Sequence, residues 1–362
     1  MSSTTEDRRW MQHALRLAER GRFTTSPNPC VGCVLIDSAG QVLAEAWHER
    51  AGEAHAEVRA LQVAGSAARG ATAYVTLEPC AHRGRTGPCA QALIEAGVAR
   101  VVYAMEDPNP LVAGRGLSML RAAGMGVDGP LLEASARALN PGFIKRMETG
   151  RPWVRLKSAM SLDGRTAMAS GESKWITAPA AREDVQRLRA RSCALVTGRG
   201  SVELDDPSLT VRIGDHDRQP LRVIVDSDAR GPLTAQMFEK QGRTVIACTE
   251  RVLDDAAPGR ELWRLPERQG RVDLRALLER LAQESCNEVL VETGATLAGA
   301  FVQAGLVDEF IVYIAPKFLG SAARPLFDLP ISTMSGNLPL IVTDMRAVGD
   351  DWRVTAIPDP DS

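Results

Sequence analysis

The stretch Glu78-Pro79-Cys80-Ala81-His82-Arg83-Gly84-Arg85-Thr86-Gly87-Pro88-Cys89 holds two cysteines, each preceded by a proline. Upstream of it, His55-Ala56-Glu57 opens a predicted helix that runs to about Ala64. One imidazole and two thiolates fill three positions of a tetrahedral zinc and leave the fourth open, which is typical of catalytic rather than structural zinc. The sequence therefore predicts a zinc site formed by His55, Cys80 and Cys89.

Glu57 lies two residues after the first predicted ligand and is the candidate catalytic residue. A catalytic zinc lowers the pKa of water from about 15.7 to about 7. A carboxylate beside it can take the water's proton and pass one to a departing amine. This is the chemistry of hydrolytic base deaminases, in which H-x-E precedes P-C-x-x-C. The present chain departs from that pattern, because eight residues separate Cys80 from Cys89.

Length and composition limit the classes of protein to which the chain can belong. Its 362 residues suggest two domains, and its net charge of -2 disfavours nucleic acid as a partner. No apolar run approaches 18 residues and the charged N-terminus is unlike a signal peptide, so we expect no membrane contact. Seven cysteines, an odd number, favour reduced thiols in a cytoplasm, where clustered cysteines bind metals more often than they form disulfides.

Alternating strands and helices predict an α/β class for both halves. Asn140-Pro141-Gly142 and Gly150-Arg151-Pro152 interrupt the pattern, and we place the boundary between domains 1–147 and 148–362 there. Predicted strands cover 31–36, 42–47, 73–76, 101–104, 154–157, 194–196, 222–225, 244–248, 289–291 and 310–314. Predicted helices cover 7–20, 56–64, 89–96 and 180–190.

The second half contains two glycine turns that follow predicted strands. Gly198-Arg199-Gly200 lacks the third glycine of the dinucleotide fingerprint, and Asp205-Asp206-Pro207 is expected to break any helix there, so a Rossmann domain is disfavoured. In Val289–Leu297 a strand runs into Gly294 and then into a helix of small residues. That arrangement offers free backbone N–H groups to a phosphate.

These segments resemble a known family, the bifunctional deaminase–reductases of riboflavin biosynthesis. The zinc stretch, Pro27–Cys33 and His48–Glu57 are similar to the deaminase half. The segments similar to the reductase half are Leu156–Arg165, Gly171–Thr177, Leu188–Ala190, Asp205–Arg212 and Glu292–Gly294. The resemblance covers nearly the whole chain, with departures at Gly87, where the family usually has proline, and at Ser201, where it usually has threonine. It implies a cytidine-deaminase-like domain followed by a dihydrofolate-reductase-like domain.

The resemblance also implies roles for individual residues. In the deaminase half, the residues matching substrate contacts are Asn28, His48, His82 and Arg85. In the reductase half, the matching substrate contacts are Ser173, Arg189, Leu209, Arg212 and Glu292. The matching NADPH contacts are Ala159, Trp175, Thr177, Ser201, Asp205, Ser227 and Gly294. Lys157 is grouped with the cofactor residues, although it can either polarise the sugar carbon that accepts hydride or bind phosphate.

The implied activity is deamination of a diaminopyrimidinone that carries a ribosylamino phosphate, followed by reduction of its ribosyl group to ribityl. The implied cofactors are one zinc ion per chain and NADPH, and the implied partner is a phosphorylated pyrimidine. We also expect a homo-oligomer, either a dimer or a tetramer, in the cytoplasm. The rival interpretations are a nucleic-acid base deaminase with an unrelated appendage and a nucleotide-binding regulator with a structural zinc.

Two sets of residues have open interpretations. Cys30 and Cys33 can be a redox pair or half of a second zinc site, but we favour buried thiols because no second pair accompanies them. Asp163 precedes Gly164 and is either catalytic or a turn residue, and we favour the turn.

Overall fold

A computed structural model gives the fold and describes residues 4–81, 87–110, 112–214 and 218–361. The chain divides into two compact units, Met1–Gly150 and Arg151–Ser362. Each unit layers helices against one main sheet, so the α/β prediction is confirmed. Within the described ranges, no helix combines the length and apolar character that a membrane crossing requires.

The first unit is built on a five-stranded sheet of order β2-β1-β3-β4-β5, in which β1 is antiparallel to its neighbours and β3, β4 and β5 are parallel. Its strands are β1 (Gly32–Ile36), β2 (Val42–Trp47), β3 (Thr72–Val75), β4 (Arg100–Tyr103) and β5 (Gly126–Asp128). Its helices are α1 (Thr5–Ala18), α2 (Ala56–Ala64), α3 (Cys89–Glu95), α4 (Arg115–Ala122), α5 (Glu133–Leu139) and α6 (Pro141–Thr149).

Helix α1 is held against this sheet at both of its ends. Thr4 caps its first turn in a reciprocal capping box with Asp7, whose buried carboxylate also accepts hydrogen bonds from Arg100 on β4. Near its C-terminal end, the backbone of α1 approaches Gly32 so closely that a Cβ there would lie 2.0 Å from the carbonyl oxygen of Ala14. Glycine at position 32 therefore lets the helix sit directly on β1.

The second unit contains a nine-stranded sheet of order β11-β10-β9-β8-β14-β6-β15-β18-β17. Two small sheets accompany it, one formed by β12 and β13 and the other by β16 and β7. The strands of the unit are β6 (Trp153–Ser161), β7 (Arg165–Ala167), β8 (Ala194–Gly198), β9 (Leu221–Val225), β10 (Thr244–Thr249), β11 (Glu261–Leu265), β12 (Glu267–Arg268), β13 (Arg271–Val272), β14 (Glu288–Glu292), β15 (Glu309–Ala315), β16 (Arg324–Pro325), β17 (Leu340–Val348) and β18 (Asp351–Pro358). Its helices are α7 (Pro179–Arg191), α8 (Arg199–Asp205), α9 (Leu274–Gln283) and α10 (Ala295–Gln303).

In the order in which they lie across the sheet, the seven strands β11, β10, β9, β8, β14, β6 and β15 run parallel to one another. Their carboxyl ends therefore share one edge of the sheet. At the opposite edge, the buried guanidinium of Arg155 pairs with Glu288 and Glu309 from the two neighbouring strands. This edge satisfies its charges internally. The carboxyl edge carries Lys157 directly opposite Glu292 and faces a cavity.

The helix break expected at Asp205-Asp206-Pro207 is observed, although a short helix precedes it. The segment after Gly198 forms helix α8, which ends where Asp206 adopts a left-handed conformation with φ 39°. Asp205-Asp206-Pro207 therefore terminates a helix rather than preventing one.

A candidate zinc site and a candidate nucleotide cavity

The three predicted zinc ligands converge in the first unit. His55 Nδ1 lies 3.7 Å from Cys80 Sγ and 3.3 Å from Cys89 Sγ, and the three ligand atoms lie within 4.8 Å of one another. Zinc bonds of about 2.3 Å to sulfur and about 2.0 Å to nitrogen, set tetrahedrally, would separate nitrogen and sulfur by about 3.5 Å. The donor set and its spacing therefore fit a zinc ion with one open position.

Two of the ligands stand at the N-termini of helices, and Cys80 lies in the loop between β3 and α3. His55 is the residue before α2, and Cys89 is the first residue of α3. The hydrogen bond to Cys80 and burial raise the pKa of the Cys89 thiol, and the helix N-terminus opposes that effect. The Cys89 backbone N–H donates to Cys80 Sγ at 3.4 Å. The hydrogen bond from the Cys89 side chain lowers the pKa of the Cys80 thiol, against the effect of burial, and His55 lowers it further.

Glu78 fixes the approach to Cys80, and the sequence did not predict this role. Its buried carboxylate accepts backbone hydrogen bonds from Asp107, Gly114, Gly116 and Leu117, at 2.8 to 3.3 Å. A Cβ at Gly116 would lie 1.9 Å from the Pro79 carbonyl oxygen, so this segment packs directly against the residue before the ligand. Because all four donors to Glu78 are backbone N–H groups, the sequence contains no pattern of side chains from which this role of Glu78 could be predicted.

Glu57 is in the first turn of α2, and only 3% of it is exposed. Burial raises the pKa of its carboxyl to about 7, while His55 lowers it and Cys80 raises it. Its side chain neighbours that of Cys89. The structure thus brings Glu57 to the ligand cluster, as the H-x-E spacing predicts.

Two of the predicted substrate residues adjoin this cluster. The ring of His48 lies 5.2 Å from that of His55, and its Nε2 is 3.0 Å from Asn28 Nδ2. Its Nδ1 is 3.3 Å from the Ala54 carbonyl oxygen, so the network assigns Nδ1–H as donor and Nε2 as acceptor. Burial lowers the pKa of His48, which favours this neutral form. His82 and Arg85 lie outside the described residues.

The other thiols stand apart from the ligand cluster. Within the described ranges, the cluster of metal-binding side chains consists of His55, Cys80 and Cys89 alone. Cys33 is buried on β1, and Cys30 is buried beside the Thr25 hydroxyl, 3.4 Å away. Burial raises the pKa of the Cys33 thiol well above its usual value, with a contribution from Glu57, which suits a packing residue.

The second unit contains a cavity of about 1570 Å³ at the carboxyl edge of its sheet. All thirteen residues predicted for the reductase half line it: Lys157, Ala159, Ser173, Trp175, Thr177, Arg189, Ser201, Asp205, Leu209, Arg212, Ser227, Glu292 and Gly294. A dinucleotide and a nucleotide-sized substrate need such a large cleft.

Arg189 and Glu292 form a bidentate pair in the cavity wall. Arg189 Nε and Nη2 donate to the two carboxylate oxygens of Glu292 at 2.6 and 2.9 Å. Both groups are mostly buried, and Arg189 lowers the pKa of Glu292 against the effect of burial. Burial lowers the pKa of the neighbouring Lys157 ammonium, and Glu292 opposes that effect. Arg189 therefore uses two of its five N–H donors on Glu292 and a third on the Thr210 carbonyl oxygen at 3.3 Å, rather than offering them all to a phosphate.

Arg212 is exposed and has a freer guanidinium. Its Nη1 donates to the hydroxyls of Ser208 and Thr210 at 2.9 and 3.2 Å. Leu209, between them, is buried with φ 45°, a conformation that costs a non-glycine residue about 1–3 kcal/mol. Such strain is characteristic of ligand-binding segments.

Four of the predicted cofactor residues make local contacts in the cavity wall. The Gly294 N–H donates to Ser201 Oγ at 3.1 Å, which joins the glycine turn before α10 to helix α8. Ser173 donates to Asp205 at 2.9 Å. Trp175 is 65% exposed, and the Arg182 guanidinium stacks over its ring at 4.7 Å.

Two further observations concern residues whose function the sequence left open or did not reveal. Asp163 accepts hydrogen bonds from the backbone of Leu319 and Gly320 and does not line the cavity, so it is a turn residue. Arg268, Arg271 and Arg275 do line the cavity. The sequence signal for two of them is that Arg268 and Arg271 flank Gln269-Gly270, a two-residue loop of the kind that joins hairpin strands.

Comparison with known proteins gives consistent matches for both units. Residues 4–105 match the cytidine and deoxycytidylate deaminase zinc-binding region, and residues 152–354 match the RibD C-terminal domain. The chain is 51% identical to riboflavin biosynthesis protein RibD of Escherichia coli K12, covering 96% of this chain and 98% of that protein. It is 47% identical to RibD of Haemophilus influenzae, covering 98% of each.

Solved structures agree over the same length. RibD of Acinetobacter baumannii matches with a TM-score of 0.91 and 47% identity, covering 98% of this chain and 99% of that one. A deaminase/reductase from Thermotoga maritima matches with a TM-score of 0.87 and 31% identity, with the same coverage. The chain therefore belongs to the RibD family and is a bifunctional enzyme of riboflavin biosynthesis, with a zinc-dependent deaminase and an NADPH-dependent reductase.

Proposed function

We propose that residues 1–147 deaminate 2,5-diamino-6-(5-phosphoribosylamino)pyrimidin-4(3H)-one. Residues 148–362 then reduce the ribosyl group of 5-amino-6-(5-phosphoribosylamino)uracil to ribityl. The observation that carries the proposal is the convergence of His55, Cys80 and Cys89 beside the buried Glu57. Support for these substrates comes from the Thermotoga maritima relative, which is named a diaminohydroxyphosphoribosylaminopyrimidine deaminase and 5-amino-6-(5-phosphoribosylamino)uracil reductase.

In the deaminase, His55, Cys80 and Cys89 hold zinc, which when bound lowers the pKa of a water molecule. Glu57 takes a proton from that water and returns one to the amino group, so that a carbon–oxygen bond forms, the carbon–nitrogen bond breaks and ammonia leaves. Because Asn28 donates its amide N–H to His48, its carbonyl oxygen faces the pyrimidine as an acceptor. His48 orients Asn28, and His82 and Arg85 bind the sugar phosphate.

In the reductase, NADPH supplies hydride to C1 of the ribosyl group, and the ring oxygen takes a proton as the ring opens. Glu292, locked by Arg189, accepts hydrogen bonds from sugar hydroxyls, and Lys157 lies beside it to polarise the reacting carbon. Arg212, Ser173 and Leu209 hold the rest of the substrate. The other predicted residues, which line the same cavity, would hold the cofactor: Ala159, Trp175, Thr177, Ser201, Asp205, Ser227 and Gly294.

The test of this function follows ammonia release and NADPH consumption on the diaminopyrimidinone phosphate in one preparation. We expect ammonia first and NADPH oxidation only after deamination, with NADPH oxidised at once when the deaminated compound is supplied. Failure of either activity on its own substrate contradicts the corresponding half of the proposal.

Arg212→Ala should raise the reductase KM for substrate by about ten- to a hundred-fold, because one charge-assisted hydrogen bond to phosphate contributes about 1.5–3 kcal/mol. Arg187→Ala is the matched control, since Arg187 is exposed on α7 and does not line the cavity. If steady-state kinetics give Arg212→Ala the same KM as the control variant, Arg212 does not bind the substrate. Ammonia release should be unchanged in both variants.

We also propose that the chain forms a homodimer in the cytoplasm through strand β17. This strand is the last of the nine-stranded sheet, and the described residues leave its outer edge unpaired. Leu340, Ile341, Val342 and Met345 are 44–59% exposed, an apolar edge that would be a liability in a monomer. Antiparallel pairing with a second copy about a two-fold axis at Met345 places Asp344 opposite Arg346 of that copy.

Arg346→Asp should convert the dimer to monomers at micromolar concentration, because it sets like charges opposite each other at both ends of the central pair. Asp344→Arg combined with Arg346→Asp should restore the dimer, since opposite charges face each other again. Sedimentation velocity distinguishes the two. A wild-type monomer, or equal masses for the single and double variants, contradicts this interface.

A further inference from the structure

Three arginines line one end of the cavity and have no acidic partner within the described ranges. They are Arg268, at the end of β12, Arg271, at the start of β13, and Arg275, in the first turn of α9. All three are exposed, and no carboxylate lies within ion-pair distance of them in that part of the chain. Unpaired guanidiniums that face a cavity are suited to an anionic ligand.

The hairpin that carries two of them is fixed in place. Arg251 donates to the Gly270 carbonyl oxygen at 3.0 Å and pairs with Asp228 and Glu267 at 3.3 and 3.1 Å. The Val272 N–H donates to Ser227 Oγ at 3.1 Å. Because Ser227 Oγ accepts this bond, its own proton is free to point into the cavity.

The acidic residues of the same strand end are already engaged. Asp226 accepts the Gly231 N–H at 2.6 Å, and Asp228 is held by Arg251. Sites that select NAD present a carboxylate to the ribose hydroxyls, whereas an arginine accommodates a 2′-phosphate. The carboxylates here are occupied and the arginines are not, which is the arrangement that suits phosphate.

The position along the sheet agrees with this assignment. Ser227 follows β9, which is separated from β14 and its Glu292 by β8 alone. Two strand spacings amount to about 10 Å. The arginines therefore lie beyond the hydride-transfer end of the cavity, on the side where the adenosine half of an extended dinucleotide would reach.

We propose that Arg268, Arg271 and Arg275, together with the Ser227 hydroxyl, bind the 2′-phosphate of NADPH and are the residues that make the reductase select it over NADH. This inference rests on the cofactor cavity assigned under the proposed function. It adds a specificity role to residues outside the segments that resemble the family.

The test measures dissociation constants of NADP⁺ and NAD⁺ by calorimetry for the full chain, without substrate. Arg271→Gln should weaken NADP⁺ binding about ten-fold or more, the loss expected for one charge-assisted bond, and the triple variant with Arg268→Gln and Arg275→Gln should weaken it further. Binding of NAD⁺ should stay the same, so the preference for NADP⁺ collapses. The KM for NADPH should rise in parallel without a change in kcat.

Arg230→Gln is the matched control, because Arg230 lies three residues after Ser227, is exposed and does not line the cavity. It should bind both nucleotides as the wild type does. An equal loss in Arg230→Gln, or equal losses for NADP⁺ and NAD⁺ in the triple variant, overturns the subsite. If wild-type protein binds neither nucleotide, the cavity assignment itself is wrong.

Discussion

Replacing Glu57 with glutamine is expected to lower the rate of ammonia release by about 10²–10⁴-fold, the usual value of a general acid–base group. The amide is nearly isosteric, but it cannot accept the proton that the buried carboxylate takes. Zinc content should stay at one per chain, because Glu57 is not among the converging ligand atoms. Single-substrate kinetics with metal analysis of the same sample measures both quantities.

Glu95→Gln is the control for this change, since Glu95 is exposed at the far end of α3 from Cys89. It should release ammonia at the wild-type rate. NADPH oxidation on the deaminated substrate should be unchanged in both variants. Near-normal ammonia release by Glu57→Gln would show that another group moves the proton.

Cys89→Ser is expected to lose both zinc and deamination, because a serine oxygen is a poor replacement for a thiolate ligand. Without the metal, water keeps its ordinary pKa rather than one near 7, a difference on the order of 12 kcal/mol for forming the nucleophile. The loss should therefore exceed that of Glu57→Gln. Cys80→Ser should behave in the same way.

Cys30→Ser is the paired comparison, because Cys30 is buried beside Thr25 and outside the ligand cluster. It should keep its zinc and its activity. Metal analysis that finds zinc lost from the Cys30 variant but retained in the Cys89 variant would show that the wrong thiols have been assigned.

Local sequence signals predicted most of the elements that carry the site. Strand β2 and helix α2 begin and end where the pattern of apolar residues and glycines places them. The other predicted strands lie within a few residues of those observed. His55, Cys80 and Cys89 were recognisable because metal chemistry restricts the types and the number of residues that can ligate zinc.

Other features depend on contacts that spacing does not encode. Arg189 and Glu292 are 103 residues apart in the sequence, which predicts each of them as a separate substrate contact. In the structure they bind each other. Strands β12 and β13 have two residues each, too few for any period to be detected. The run Leu340-Ile341-Val342 has the composition of a buried strand, yet it lies on an exposed edge, because burial depends on which neighbours a strand acquires.

The position of β6 has a consequence for how the chain folds as it is synthesised. This strand is the first of the second unit, but its sheet neighbours β14 and β15 come much later, as the links from Arg155 across 133 and 154 residues show. At 5–20 residues per second, the ribosome needs on the order of ten seconds to deliver them. In the first unit most strands pair with strands that are adjacent in the sequence, so its sheet can form while the rest of the chain is still being synthesised. We therefore expect the deaminase to be folded and ready for zinc before the reductase sheet can form.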